Sequence, residues 1–295
     1  MTTSISAMSC FFKGKWIRII SLLLASFVLS ACTSLKLAYN QGEHLGVWWL
    51  NGYVDLDKAQ AQQVREDLRA LQRIQRQQQL PIYADWLQQL QGQAAQDTSP
   101  EQVCATAQQL RSFVEALVFS TEGPATTLAQ SLSPAQLQHL ERKFADKNTD
   151  YRKEWLTLEP PKLQTKRLDT ALERAETVYG RMDTAQKALL RQQSEQSLFD
   201  PQRTHAERLR RQGDMLQTLR QAVRLPDARS AIRDFMARSL HPYTPADLAY
   251  TEALRLQDCQ NIAALHNSTT PAQRFAAARW LAGYAKLLRE LAAQG

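Results

Sequence analysis

No stretch of this chain is apolar for long enough to cross a bilayer as a helix. The longest run, Ile19 to Leu29, is about eleven residues, where roughly twenty are needed. A retained membrane span is therefore not expected. Glycine and histidine are scarce, at 10 and 5 residues, and neither falls into a catalytic pattern. There is no G-x-S-x-G elbow, no H-E-x-x-H and no phosphate-cradling glycine loop, so the corresponding hydrolase, metalloprotease and nucleotide-binding chemistries have no motif here. Cysteine occupies four positions without a C-x-x-C or a histidine cluster beside it, which leaves no redox or zinc signature. Strand-like alternation is nearly missing, and so is any linker rich in Gly, Ser or Pro. The expectation is one all-α body with no catalytic residue, no metal ligand and no cofactor.

What the chain does have begins at its N-terminus. Lys13, Lys15 and Arg18 precede the short apolar run, and Leu29-Ser30-Ala31-Cys32 follows it. Positive residues, a short apolar segment and small residues before a cysteine make a secretory signal ending in a lipobox. The Cys32 thiol is expected to carry a diacylglyceryl group and the freed amine an acyl chain such as palmitate. Each buried CH₂ adds about 0.8 kcal/mol of membrane affinity, so more than one chain makes detachment negligible. Thr33 stands where an aspartate would resemble the inner-membrane retention signal of Gram-negative lipoproteins. That comparison implies an outer-membrane anchor with the body facing the periplasm. The chain divides into a signal peptide (1–31), a lipidated N-terminus and aromatic tether (32–56) and an all-helical domain (57–295).

Removing the signal takes away three basic residues and no acidic ones, lowering the net charge from +7 to +4. Mild basicity is compatible with anionic lipid, peptidoglycan or an envelope protein as partner, and the periplasmic address argues against nucleic acid. Cys10 leaves with the signal and Cys32 takes lipid, so Cys104 and Cys259 remain together in an oxidising compartment. They are expected to pair, closing a loop of about 155 residues for roughly 5 kcal/mol in the chain-entropy model; two separate buried thiols are the alternative.

Helix starts recur along the chain: Ser99-Pro100, Ser133-Pro134, Asp200-Pro201, Thr244-Pro245 and Thr270-Pro271, with Asp183-Thr184 as a further start without proline. The Ser, Thr or Asp oxygen accepts an orphan N–H of the first turn, and proline at the first helical position gives up only a donor that had no partner. Together with turns at Thr121 to Pro124 and Leu225 to Asp227, these predict eight to ten helices in a single elongated bundle. Leu137, Leu140, Phe144, Tyr151 and Trp155 fall on one helical stripe. In the last helix one face (Phe275, Ala278, Ala282, Ala285, Leu288) is flanked by a second (Trp280, Tyr284, Leu287, Leu291), which predicts packing on two sides. Residues 60 to 79 carry only a thin line of Val64, Leu68, Leu71 and Ile74, and Pro81 should kink or end that helix.

Lipobox, Ala38-Tyr39-Asn40-Gln41, Trp48-Trp49, Tyr53-Val54-Asp55-Leu56 and Leu265 to Pro271 (L-H-N-S-T-T-P) together resemble an uncharacterised family of proteobacterial lipoproteins, a domain of unknown function. The resemblance runs over nearly the whole mature chain. It implies a helical, outer-membrane-associated lipoprotein and supplies no activity and no catalytic residue.

Five features bear on function. Trp48, Trp49 and Tyr53 lie close enough to Cys32 to sit at headgroup level; core packing of Leu45, Trp48, Trp49 and Tyr53 at helical spacing is the reading preferred. Residues 201 to 240 hold nine arginines against Glu207, Asp214, Asp227 and Asp234, and Arg208, Arg210 and Arg211 are candidate anion-binding residues. Pairing of Glu207 with Arg211 and Asp234 with Arg238 at i,i+4 is preferred over a free basic face. Leu132-Ser133-Pro134-Ala135-Gln136, and more loosely Met182 to Gln186, are similar to the L-T-x-x-Q signature of small periplasmic helical chaperones, although capping alone explains a Gln at that position. His266 is read as a cap on the last carbonyls of its helix. Asp55, Asp57 and Glu66 are the candidates for a glycosidase pair, with exposed capping carboxylates the ordinary explanation. A structural or binding role in the envelope is the first reading, a holdase-like chaperone the second and a cell-wall glycan hydrolase the third.

Overall fold

The computed structural model describes residues 34–241 and 244–294. The signal, the lipobox and Cys32 lie outside the described residues. Among those described there are twelve α-helices and no strand, against the eight to ten expected. In chain order they are α1 (Gly42–Val54), α2 (Lys58–Ile74), α3 (Leu80–Gln93), α4 (Pro100–Ser120), α5 (Glu122–Ser131), α6 (Pro134–Tyr151), α7 (Pro160–Tyr179), α8 (Thr184–Glu195), α9 (Pro201–Ala222), α10 (Arg229–Leu240), α11 (Pro245–Asn267) and α12 (Pro271–Ala292). A short helical stretch, 34–40, precedes α1.

Every capped start read from the sequence is a helix N-terminus. Ser99, Ser133, Asp183, Asp200, Thr244 and Thr270 each accept a first-turn backbone N–H. Five starts have no side-chain cap, α1, α3, α5, α7 and α10; turns mark those of α5 and α10 in the sequence, and the miscount comes from the others. Pro81 does not end its helix. The chain inserts one π turn, Gln75–Gln79, in which the Leu80 N–H reaches back to the Gln75 carbonyl, and α2 runs on into α3. A π turn absorbs the donor that proline lacks without breaking the rod.

α12 lies along α3 and also meets α7, while α4 meets α11, α1 packs on α2 and α6, and α9 packs on α6 and α10. The segment read as a tether therefore contains a helix docked on the body. Cys104 on α4 and Cys259 on α11 approach to a Cα–Cα distance of 5.4 Å with their sulfurs in bonding contact, within the usual disulfide range. Phe275 and Tyr284 depart from the two-sided packing expected of α12: Phe275 is 64% exposed beneath Arg279, while Ala277, Ala285, Leu287 and Leu291 are buried.

The core is divided into small clusters. Val54, Leu132 and Leu137 form one, Ala129, Ala222, Ala228, Ile232 and Met236 a second, Ala175, Met182, Leu190 and Leu265 a third, and Leu80, Leu287 and Leu291 a fourth. Two of them are joined to polar junctions of one design. In a capping box the N3 side-chain oxygen accepts the N–H of the cap residue. Gln60 and Gln136 both do this, for Asp57 and Ser133, and their amide nitrogens then donate to each other's oxygens, at 3.2 and 2.6 Å. Gln60 Nε2 also reaches the Ser131 carbonyl and Gln136 Nε2 the Asp55 carbonyl. Gln186 and Gln273 repeat the arrangement, with reciprocal bonds of 2.8 and 2.9 Å and further bonds to the Ser268 and Arg181 carbonyls. In all four cases the carbonyl belongs to the residue two before the opposing cap. Two helix starts are thus clasped together twice, and all four glutamines are buried.

Candidate functional site

α9 sets Arg208, Gln212, Met215 and Leu219 at spacings of four, three and four, one stripe of an α-helix. α6 runs antiparallel beside it and offers Leu140, Phe144 and Asn148 at spacings of four. These stripes, with α1, α5 and α10, enclose a cavity of about 410 Å³, within the ordinary size of small-molecule pockets. Leu128, Ala129 and Leu132 from α5 and its end, Ile232 and Met236 from α10, and Trp49, Tyr53 and Val54 from α1 complete most of the wall. Trp49 is at once a wall residue and more than half exposed, so the mouth opens beside α1.

One end of the cavity is polar. Asn148, itself buried, gives its Nδ2 to Gln212 Oε1 at 2.7 Å and accepts at Oδ1 from Gln212 Nε2 and from Arg208 Nε, the latter at 3.0 Å. The Arg208 guanidinium lies 5.8 Å from the Tyr151 ring centre. Burial raises the pKa of the Tyr151 hydroxyl, with Arg208 among the groups opposing the shift.

The three candidate anion-binding arginines do not act together. Arg210 and Arg211 both close on Glu207, at 2.6 and 2.7 Å, and the hydrogen bond from Arg210 holds the Glu207 carboxyl below its ordinary value against the opposing effect of burial. Arg208 alone turns to the cavity. Glu207 meets Arg211 as expected, whereas Arg238 pairs with Asp214 from the neighbouring helix, 24 residues away, rather than with Asp234.

The preference for core packing of the N-terminal aromatics fails. Leu45, Trp48 and Trp49 are exposed, Trp48 at 74%, because α1 turns Gly46 and Val54 toward its neighbours and leaves this stripe outward. Only Tyr53 of the four packs inward, between Trp49 and Phe144. His266 does not cap its own helix. It is buried, with Nε2 against the Gln96 carbonyl at 2.8 Å and Nδ1 against the Tyr179 hydroxyl at 2.9 Å. Nε2 facing a carbonyl carries a proton and donates to it. Asn267 beside it exchanges two bonds with the Thr98 backbone. The Leu265 to Pro271 motif is consequently a three-way junction of α11, α12 and the loop before α4.

The three candidate acids have three different local roles. Asp55 sits in a left-handed turn closing α1, Asp57 caps α2, and exposed Glu66 bonds Gln62. None lines the cavity. Sequence reasoning missed Asn148, Gln212 and the Gln60 and Gln273 halves of the clasps. The signal for the clasps was available: Asp57-Lys58-Ala59-Gln60, Ser133-Pro134-Ala135-Gln136, Asp183-Thr184-Ala185-Gln186 and Thr270-Pro271-Ala272-Gln273 share one pattern.

The described residues thus form an all-α body with a split core and an amphiphilic cavity beside an outward aromatic helix, and no helix among them is long and apolar enough to cross a membrane. The chain belongs to the family of unknown function DUF6279, which matches residues 52–243. That span holds the cavity wall from Tyr53 to Met236 and the first clasp. Of the resembling motifs only Tyr53 to Leu56 falls inside it. Neither a curated protein nor a solved structure matches the chain.

Proposed function

We infer that this is a periplasm-facing lipoprotein, held at the outer membrane by acylated Cys32, whose elongated helical body binds an apolar or amphiphilic component of the envelope. The observation that carries the reading is the outward stripe Leu45, Trp48 and Trp49, on the first full helix after the lipobox. Exposed aromatic rings at that distance from an acyl anchor suit the headgroup layer, where an apolar face and a polar N–H are both accommodated. The body then stands with its cavity mouth toward the bilayer. A direct test places the lipidated protein in vesicles of brominated phosphatidylcholine. Quenching that disappears with Trp48→Phe supports the orientation; unchanged quenching after that substitution refutes it.

A holdase-like role is a second reading, favoured by exposed Leu110, Val114 and Leu117 along one face of α4. It predicts that the protein suppresses aggregation of an unfolded client and that charged substitutions on this face abolish the effect.

A further inference from the structure

The cavity has two chemically different ends, and the difference selects a ligand. Its deep wall is apolar, with Ala129, Leu132, Leu140, Ile232 and Met236 all buried. The other end holds Arg208, which spends Nε on Asn148 and enters no ion pair with a carboxylate among the described residues. Its two Nη groups, four N–H donors in a planar fork, are left for a guest. The fork is also held in place, because Asn148 is fixed by two bonds with Gln212 and the guanidinium lies near the Tyr151 ring. A half-buried guanidinium at the end of an apolar hole lacks only a planar anion, for which bidentate geometry is strongest.

We propose that the cavity binds a single long acyl chain with an anionic head, a fatty-acid carboxylate, its head on Arg208 and its chain along Phe144, Met215 and Leu219. The volume, about 410 Å³, lies toward the lower end of the usual pocket range of roughly 300 to 1,000 Å³, room for one chain rather than the two of a phospholipid. A wholly neutral guest leaves the guanidinium unpaired. A peptide finds only Arg208, Gln212 and Thr218 as polar side chains among the apolar walls apart from the ring groups of Trp49 and Tyr53. This inference rests on the binding part of the proposed function and not on its membrane part.

The test uses the full lipidated chain in a neutral maltoside detergent, incubated with stearate, stearyl alcohol or phosphatidylglycerol and examined by native mass spectrometry after removal of detergent. One stearate per chain is expected, with the alcohol retained about tenfold less, which corresponds to one charge-assisted contact. Arg208→Gln should lower stearate occupancy about tenfold and leave the alcohol unchanged, and Ala129→Phe, filling the deep end, should remove both guests. Thermal unfolding confirms that each variant is folded, and if Ala129→Phe does not fold, Arg208→Gln decides alone. Equal retention of acid and alcohol, stearate binding indifferent to Arg208→Gln, or preferential uptake of phosphatidylglycerol would each overturn the proposal. None of these results bears on quenching at Trp48, which lies outside the cavity wall, so the two readings fail separately.

Discussion

The two glutamine clasps share their capping-box bonds, their reciprocal amide pair and their carbonyl contacts, and differ in what surrounds them. At Gln60 and Gln136 the residue before the second cap, Leu132, borders the open cavity. At Gln186 and Gln273 the residue before the first cap, Met182, is 1% exposed and packed among Ala175, Leu190 and Leu265, with the His266 and Tyr179 pair close by on the same helices. One junction holds a hole open and the other is solid. The same local chemistry therefore fixes the ends of helices in both halves, and the side chains filling the space beside it decide whether a half can take a guest.

Exchanging the clasp glutamines for glutamate should break the comparison most sharply. Glutamate still completes a capping box, so a purely local role predicts no cost. A clasp loses its amide donors and gains a buried charge. Gln186→Glu is expected to destabilise by about 3 kcal/mol or more, from one to three for each buried partner left unpaired. Gln136→Glu, beside a cavity that can admit water, should lose about half as much. Gln102→Glu is the control: its box is exposed and joins no second box, and its urea midpoint should not move.

Truncation of the paired apolar residues gives the next largest difference. Met182→Ala empties a closed site and should cost about 3 to 4 kcal/mol, while Leu132→Ala enlarges an existing cavity and should cost about 2, since fewer packed contacts are lost. Denaturant unfolding of both variants reads the difference directly. Equal losses would mean that the hole beside Leu132 is filled in solution.

The smallest effect is electrostatic and belongs to the open half. Arg210 first, and Arg211 after it, hold the folded pKa of Glu207 below its unfolded value. Its stabilisation is present above the ordinary carboxylate value and is lost as pH falls through the folded one. Solvent screening keeps this below about 1 kcal/mol. Glu207→Gln should remove that part of the acid dependence of unfolding and leave the neutral-pH stearate occupancy unchanged.

Helix starts were legible wherever a Ser, Thr or Asp cap stands before proline, because that signal is local and each residue acts on its own first turn. Starts with neither such a cap nor a turn signal, such as α3 after Gln79 and α7 after Glu159, carry no such mark. The disulfide partners followed from elimination, whereas the partner of Arg238 and the inward turn of Arg208 depend on which helix lies alongside α9. Trp48 and Trp49 have the spacing of a core stripe, and spacing alone does not say whether another element covers it. The cavity has no sequence signature, since it is made by residues that stop short of meeting.

Acylation of Cys32 carries the largest share of the proposed function, because the proposed compartment and the proposed orientation of α1 both depend on it. Metabolic labelling with a radioactive fatty acid measures it directly. The account predicts a labelled chain in outer-membrane fractions and loss of the label with Cys32→Ser; an unlabelled chain, or one labelled equally after that substitution, would contradict it.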